Sequence, residues 1–183
     1  MKKHGRPLPR GRSKERAARG GAERAADPED FAARALGFDS VVADASSLIV
    51  LSDIGALAAA RTVWRLRTIA AAAAEAGESA AGVDLLESGE GIGGLSTDRA
   101  LATAARKARL PLLSEDRKVL MDGEARGLDC FDALVALELL AAKGAMESAA
   151  YDTARGLLLE RNAYREDRLA WARAVGAAAN KLA

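Results

Sequence analysis

The chain has 183 residues, half of them apolar but only 4% aromatic, with a net charge of +1. That length holds one domain of ordinary size and a tail, with a core built from aliphatic side chains and close alanine packing. The single Cys130 excludes an internal disulfide and fits a reducing, cytoplasmic compartment; no apolar run reaches the roughly eighteen residues of a membrane span, and the basic N-terminus lacks the apolar segment of a secretory signal.

The average charge hides an asymmetry. Residues 1–24 hold nine Lys or Arg against two Glu, about +7, and the remainder holds 18 basic against 24 acidic residues, or −6. Residues 1–26 therefore read as a basic tail that buries too little apolar surface to fold alone. Such a tail either attracts nucleic acid through phosphate contacts or is simply solvated. Its His4 stands far in sequence from any other candidate for chemistry.

Order is expected from Asp27, which can cap a helix with Pro28 in the first position and Glu29 and Asp30 in the first turn. Gly37 ends that helix. Val41 to Ala43 is the first strand candidate, delivering Asp44 to its carboxyl end. Leu48, Ile49, Leu51, Ile54 and Leu57 then recur at helical spacing, with Gly55 a break. Alternation over Val63 to Ile69 predicts a second strand, followed by an alanine-rich helix through Glu75 to Gly77. Val83 to Leu86 is a weaker third strand.

Glu87 to Ser96 is a glycine-rich loop. Its Gly91-Ile92-Gly93-Gly94 lacks the Lys-Ser or Lys-Thr of a phosphate cradle, so it reads as a turn. Ser96 or Thr97 caps a helix from Asp98 to Arg109. Leu110 to Leu113 is a short buried strand ending at Ser114-Glu115-Asp116, and the next helix stops at Gly127. Leu128 to Phe131 is the last strand candidate. Helices fill most of 132–179, with breaks near Gly144 and Asn162. The alternation predicts an α/β fold with a mostly parallel sheet of four to five short strands flanked by helices. The domain is expected over 27–183, with a core at about 40–145 and extra C-terminal helices at about 146–179.

Four acids fall at element ends in this scheme: Asp44, Glu75, Asp98 and Asp116. Ligands of open α/β sheets bind outside the carboxyl ends of strands, and gathered carboxylates stay ionised most readily around a cation. A divalent-metal site follows. Each acid also has an ordinary role available. Asp44 and Asp116 could cap helices, Asp98 suits the dipole of a first turn, and Glu75 could be an exposed helical residue, with Glu78 nearby as a rival.

Val41-Val42-Ala43-Asp44-Ala45-Ser46-Ser47-Leu48-Ile49 resembles the opening motif of PIN-domain nucleases. Leu112-Leu113-Ser114-Glu115-Asp116-Arg117 is similar to that family's strand-four motif. Leu95 to Ala105 resembles the helix bearing its third acid, and Ala71 to Glu75 occupies the place of its second, without the proline common ahead of that helix. Gly127 through Gly144 has the look of a toxin-like subgroup. The resemblance covers roughly 40–145. It implies a metal-dependent endoribonuclease using Mg²⁺ or Mn²⁺, with Asp44, Asp98 and Asp116 as metal ligands, Glu75 completing the shell, and Ser46 and Ser114 in support. RNA would be the substrate, an antitoxin protein or a second copy would be partners, and no membrane would be involved.

Hard cations of this kind prefer oxygen ligands and keep waters for the substrate. Arg99, Arg106, Lys107, Arg109, Arg117 and Lys118 border the acids and could track a phosphate backbone or form solvated helix faces. Cys130 reads as a packed thiol, and Trp64 and Trp171 as packing anchors. The competing function is a catalytically weak or inactive PIN-like module that binds RNA or protein. A phospho-acceptor domain fits poorly, because no lysine follows the Leu128 to Phe131 strand. An Asp-x-Asp phosphatase fails because Ser46 stands at the second acidic position.

Overall fold

The computed structural model describes residues 27–87 and 96–183. The basic tail and most of the glycine-rich loop lie outside the described residues. Among them the chain forms an α/β fold with a five-stranded, all-parallel sheet in the order β3-β2-β1-β4-β5. The strands are β1 (Ser40–Ala43), β2 (Arg65–Thr68), β3 (Asp84–Leu85), β4 (Leu112–Leu113) and β5 (Cys130–Phe131). The α-helices are α1 (Pro28–Leu36), α2 (Ala45–Asp53), α3 (Leu57–Val63), α4 (Ala70–Ala76), α5 (Thr97–Ala108), α6 (Arg117–Ala125), α7 (Ala133–Ala142), α8 (Ser148–Arg161) and α9 (Glu166–Leu182). A 3-10 turn spans Gly77–Ala80.

Local chemistry sets most of these limits. Asp27 caps α1 by accepting from the Glu29 and Asp30 amides at 2.8 and 3.4 Å, with Pro28 at the first position. Gly55, at φ +75°, turns the chain between α2 and α3, and Gly127, at φ +78°, turns it after α6. Both positions need the left-handed backbone that glycine tolerates.

Four strands are shorter than expected, β3 among them because the Val83 amide bonds back to the Ala80 carbonyl. Val63 belongs to α3, not to β2, because the first residue of β1, Ser40, pairs with Arg65 and offers nothing to pair with earlier. Leu110 and Pro111 precede β4 because the Leu110 amide bonds back to the Ala105 carbonyl and Pro111 has no amide hydrogen. Leu128 closes α6 by donating to the Gly123 carbonyl, so β5 begins only at Cys130. Backbone polar groups already committed to a helix end cannot also join a ladder.

Right-handed crossovers place the helices between β1, β2 and β3 on one face of the sheet and those leading into β4 and β5 on the other. The packing agrees, with α2 against α3, α4 and α7, and α5 against α6. The buried helix α7 also packs on α8 and α9, so the C-terminal helices add a further layer on its side. All five Phe and Trp residues meet on that side. Ring centroids lie 6.2 Å apart for Phe31 and Phe131, 5.8 Å for Trp64 and Phe131, 6.2 Å for Phe38 and Phe131, and 5.2 Å for Phe31 and Trp171. The scarce aromatic side chains are thus spent as anchors, fixing α1 and α9 to the β5 edge of the sheet. No single helix among the described residues is long and apolar enough to cross a membrane.

Candidate active site

The strand order reverses between β1 and β4. Successive crossovers run from β1 outward through β2 and β3, and from β4 outward to β5. Loops leave such a point in opposite directions and open a crevice at the carboxyl ends of the strands. Asp44 follows β1 and Asp116 follows β4 with two residues between, so both flank this crevice.

Asp44 is buried and caps α2. Its Oδ1 accepts from the Ser47 amide at 2.6 Å and the Ser46 hydroxyl at 2.9 Å. Its Oδ2 accepts from the fully buried Ser114 hydroxyl. A carboxylate offers about four acceptor sites, and three are used here, so one remains on Oδ2. The Ser114 oxygen also accepts from the Asp116 amide at 3.1 Å, which links the ends of β1 and β4. Asp116 caps α6 by accepting from the Lys118 amide at 2.7 Å.

Asp98 is the second residue of α5, whose cap is Ser96. It is exposed and forms no ion pair among the described residues. Glu75 projects from α4. Asp44, Glu75, Asp98 and Asp116 line one cleft of about 580 Å³, together with Ser46, Thr97 and Arg117. Glu78, on the following 3-10 turn, is not part of that lining, so Glu75 is the acid that α4 brings to the cleft. The capping roles of Asp44 and Asp116 are real, and each uses only some of the carboxylate's acceptor capacity.

Among the described residues no three His, Cys, Asp or Glu side chains meet closely enough to form a preformed metal cage. The acids surround the cleft without closing on one point. This all-oxygen set suits a cation that keeps several waters and takes one or two carboxylates, as Mg²⁺ does and Mn²⁺ can. It does not suit a metal bound wholly by protein ligands.

Glu115 also lines the cleft and was not singled out by the sequence. Its Oε1 accepts from the Ala133 amide, at the start of α7, at 2.6 Å. Its Oε2 accepts from the Tyr164 hydroxyl at 2.8 Å and the Asn162 amide nitrogen at 3.1 Å. Burial pushes its pKa up, opposed by the Ala133 bond; nearby Asp132 and Asp44 push it up further. Beside it, buried Asp132 caps α7 and accepts from Arg168 of α9 at 2.6 Å, while the Arg168 guanidinium lies 4.5 Å from the Trp171 ring centroid. The only local signal for Glu115 was its place between Ser114 and Asp116; its partners lie 18 to 49 positions away.

Of the six cations flagged in sequence, three line a cleft. Arg117 borders the acidic cleft. Arg106 and Arg109 line a second cleft of about 610 Å³ beside residues that precede β1, β4 and β5, at the opposite end of the sheet. All six are exposed, and none joins an ion pair among the described residues. Cys130 is buried, its thiol pushed up to about 12 chiefly by desolvation, which leaves it a packing group. The chain matches no protein-family model, no curated protein and no solved structure.

Proposed function

We propose that this chain is a PIN-like, metal-dependent endoribonuclease whose active site is the acidic cleft. The observation that carries the reading is that four acids from separate segments line one cleft at the switch point of a parallel sheet, beside Arg117. Ordinary helix caps have no need to share a cleft.

Asp44 would be the fixed ligand, since three donors hold it in one orientation. Preorganised ligands of this kind act without reorganising during the reaction. Asp98, Asp116 and Glu75, more exposed, would take the cation directly or through its waters. Arg117 would offset phosphate charge. A bound Mg²⁺ or Mn²⁺ would supply an acidified water and stabilise the leaving oxygen. Phosphate contacts would come from Arg99, Arg117 and Lys118 in the first turns of α5 and α6, on a body whose remaining charge is net acidic.

The test is cleavage of RNA by purified protein with Mg²⁺ or Mn²⁺ and then with chelator. Cleavage only with metal supports the proposal. Binding of RNA without cleavage under any metal supports the second reading, a PIN-like binding module, which the lack of a closed carboxylate cluster among the described residues favours. The antitoxin partner belongs to the same proposal, and a small protein from the adjacent reading frame should suppress the cleavage.

A further inference from the structure

We infer that the α8–α9 segment is a working part of the site, with Glu115 as the positioning residue through which Tyr164 and Asn162 hold the Ser114-to-Asp116 turn. This rests on the nuclease reading above.

The geometry is that of a clasp. Glu115 lies between two residues of the acidic relay. Ser114 donates to Asp44 and accepts from the Asp116 amide. The Glu115 side chain is held independently by two other elements. One oxygen is taken by the Ala133 amide at the start of α7, the other by Tyr164 and Asn162. Asn162 also donates to the Tyr164 hydroxyl at 3.2 Å, so those two side chains support each other. Both sit in the break between α8 and α9, and Arg168 on α9 pins Asp132 one residue before Ala133.

The turn bearing Asp116 is therefore fixed from two sides. On one side is the strand end of Asp44, and on the other the C-terminal helices. Burying even part of a carboxylate merely to tie down a helix is costly unless it is well bonded. Three bonds to Glu115, from groups distant in sequence, make it a stiff strut. Without the clasp, Asp116 would keep its helix cap but lose its fixed distance to Asp44. Outer groups that orient ligands typically contribute tenfold or more to activity. The role assigned to Glu115 is positioning, through the backbone it anchors.

Tyr164→Phe deletes one hydroxyl and keeps the ring. Glu115→Ala removes the strut, whereas Glu115→Gln keeps an acceptor for the Ala133 amide and can donate to the Tyr164 hydroxyl oxygen, losing only the bond from Asn162. Two readouts on the full chain are required, namely amide hydrogen exchange at Asp116 and Ala133 by NMR, and kcat against KM on RNA with Mn²⁺. The clasp predicts about tenfold faster exchange at both amides in Tyr164→Phe and Glu115→Ala, with the thermal midpoint nearly unchanged in Tyr164→Phe. It predicts kcat lowered by about tenfold with KM within about twofold, and Glu115→Gln restored most of the way. Unchanged exchange at Asp116 in both Tyr164→Phe and Glu115→Ala overturns the inference. So does a Glu115→Gln variant as slow as Glu115→Ala with its amides still protected, because the charge and not the hold would then matter. A wild-type protein that cuts no RNA removes the nuclease reading alone, and the exchange data still decide whether the clasp exists.

Discussion

The Ser114 hydroxyl donates to Asp44 Oδ2 across 70 positions of chain, and its oxygen accepts the Asp116 amide at 3.1 Å. One small, fully buried side chain thus sets the orientation of one cleft acid and the backbone position of another. Ser114→Ala should leave Asp44 with its two remaining donors and the fold intact. RNA cleavage should fall about 10- to 100-fold, the usual effect of removing an outer group that orients a ligand. Steady-state kinetics beside a thermal melt checks this; undiminished cleavage would show that the relay does nothing for the site.

Another buried carboxyl, Glu138 on α7, gives a stability prediction. It accepts from Tyr151 at 2.8 Å and lies 3.8 Å from Arg155, yet burial still holds its pKa above the ordinary value. A folded-state pKa raised this way means that the folded protein binds the proton more tightly than the unfolded chain. The contribution is fully present below the unfolded pKa and is lost as pH rises through the folded one. Glu138→Gln should therefore gain stability relative to the wild type as pH rises from about 4 to 8. Melting midpoints of both proteins across that range decide the matter, and parallel curves would contradict it.

Close packing at Gly123 gives a third. A Cβ there would lie 2.5 Å from Cys130 Sγ and 3.1 Å from Leu112 Cδ2. Gly123→Ala should cost about 1–3 kcal/mol by overpacking the contact between α6 and β5. Cys130→Ala should relieve part of that cost, so the double variant should be more stable than the sum of the single effects. Denaturant unfolding of the three variants checks the sign of the coupling.

RNA affinity should be strongly salt-dependent. Replacing Arg99, Arg117 and Lys118 together by Ala should lower the slope of log affinity against log salt by up to about 2 for a single strand. Deleting residues 1–26 should flatten it further while sparing cleavage at saturating RNA. Binding measured in chelator separates contact from turnover, and identical salt curves would exclude these cations as contacts.

Much of the fold was legible because its signals are local. Asp27-Pro28 marks the start of α1, and Val41 to Asp44 shows an apolar run ending in an acid. Ser96 and Gly127 mark a helix start and a helix stop. The excess strand length assigned around Val63, Leu110 and Leu128 has one cause. An apolar run cannot reveal whether its amides are already taken by a neighbouring helix end. The acids were legible because each sits at an element boundary. Glu115, Asp132, Tyr164 and Arg168 were not, because their roles come from bonds spanning 18 to 49 residues, with no periodicity to mark them. Glu78 could be set aside only once the turn after α4 showed which acid faces the cleft.

If the acidic cleft cuts RNA with a divalent cation, as proposed, Asp44→Asn removes its fixed ligand. Asparagine caps helices as well as aspartate does; its Oδ1 still accepts from Ser46 and Ser47, and its Nδ2 can donate to the Ser114 hydroxyl oxygen, so the fold should survive. Cleavage of RNA by wild type and variant should be followed at saturating Mn²⁺, with and without chelator. Metal-dependent cleavage by the wild type is expected, with a folded variant whose turnover falls by about 100-fold or more, as loss of a metal-bearing group should produce. Cleavage that persists undiminished in the Asp44→Asn protein, or in chelator, would contradict it.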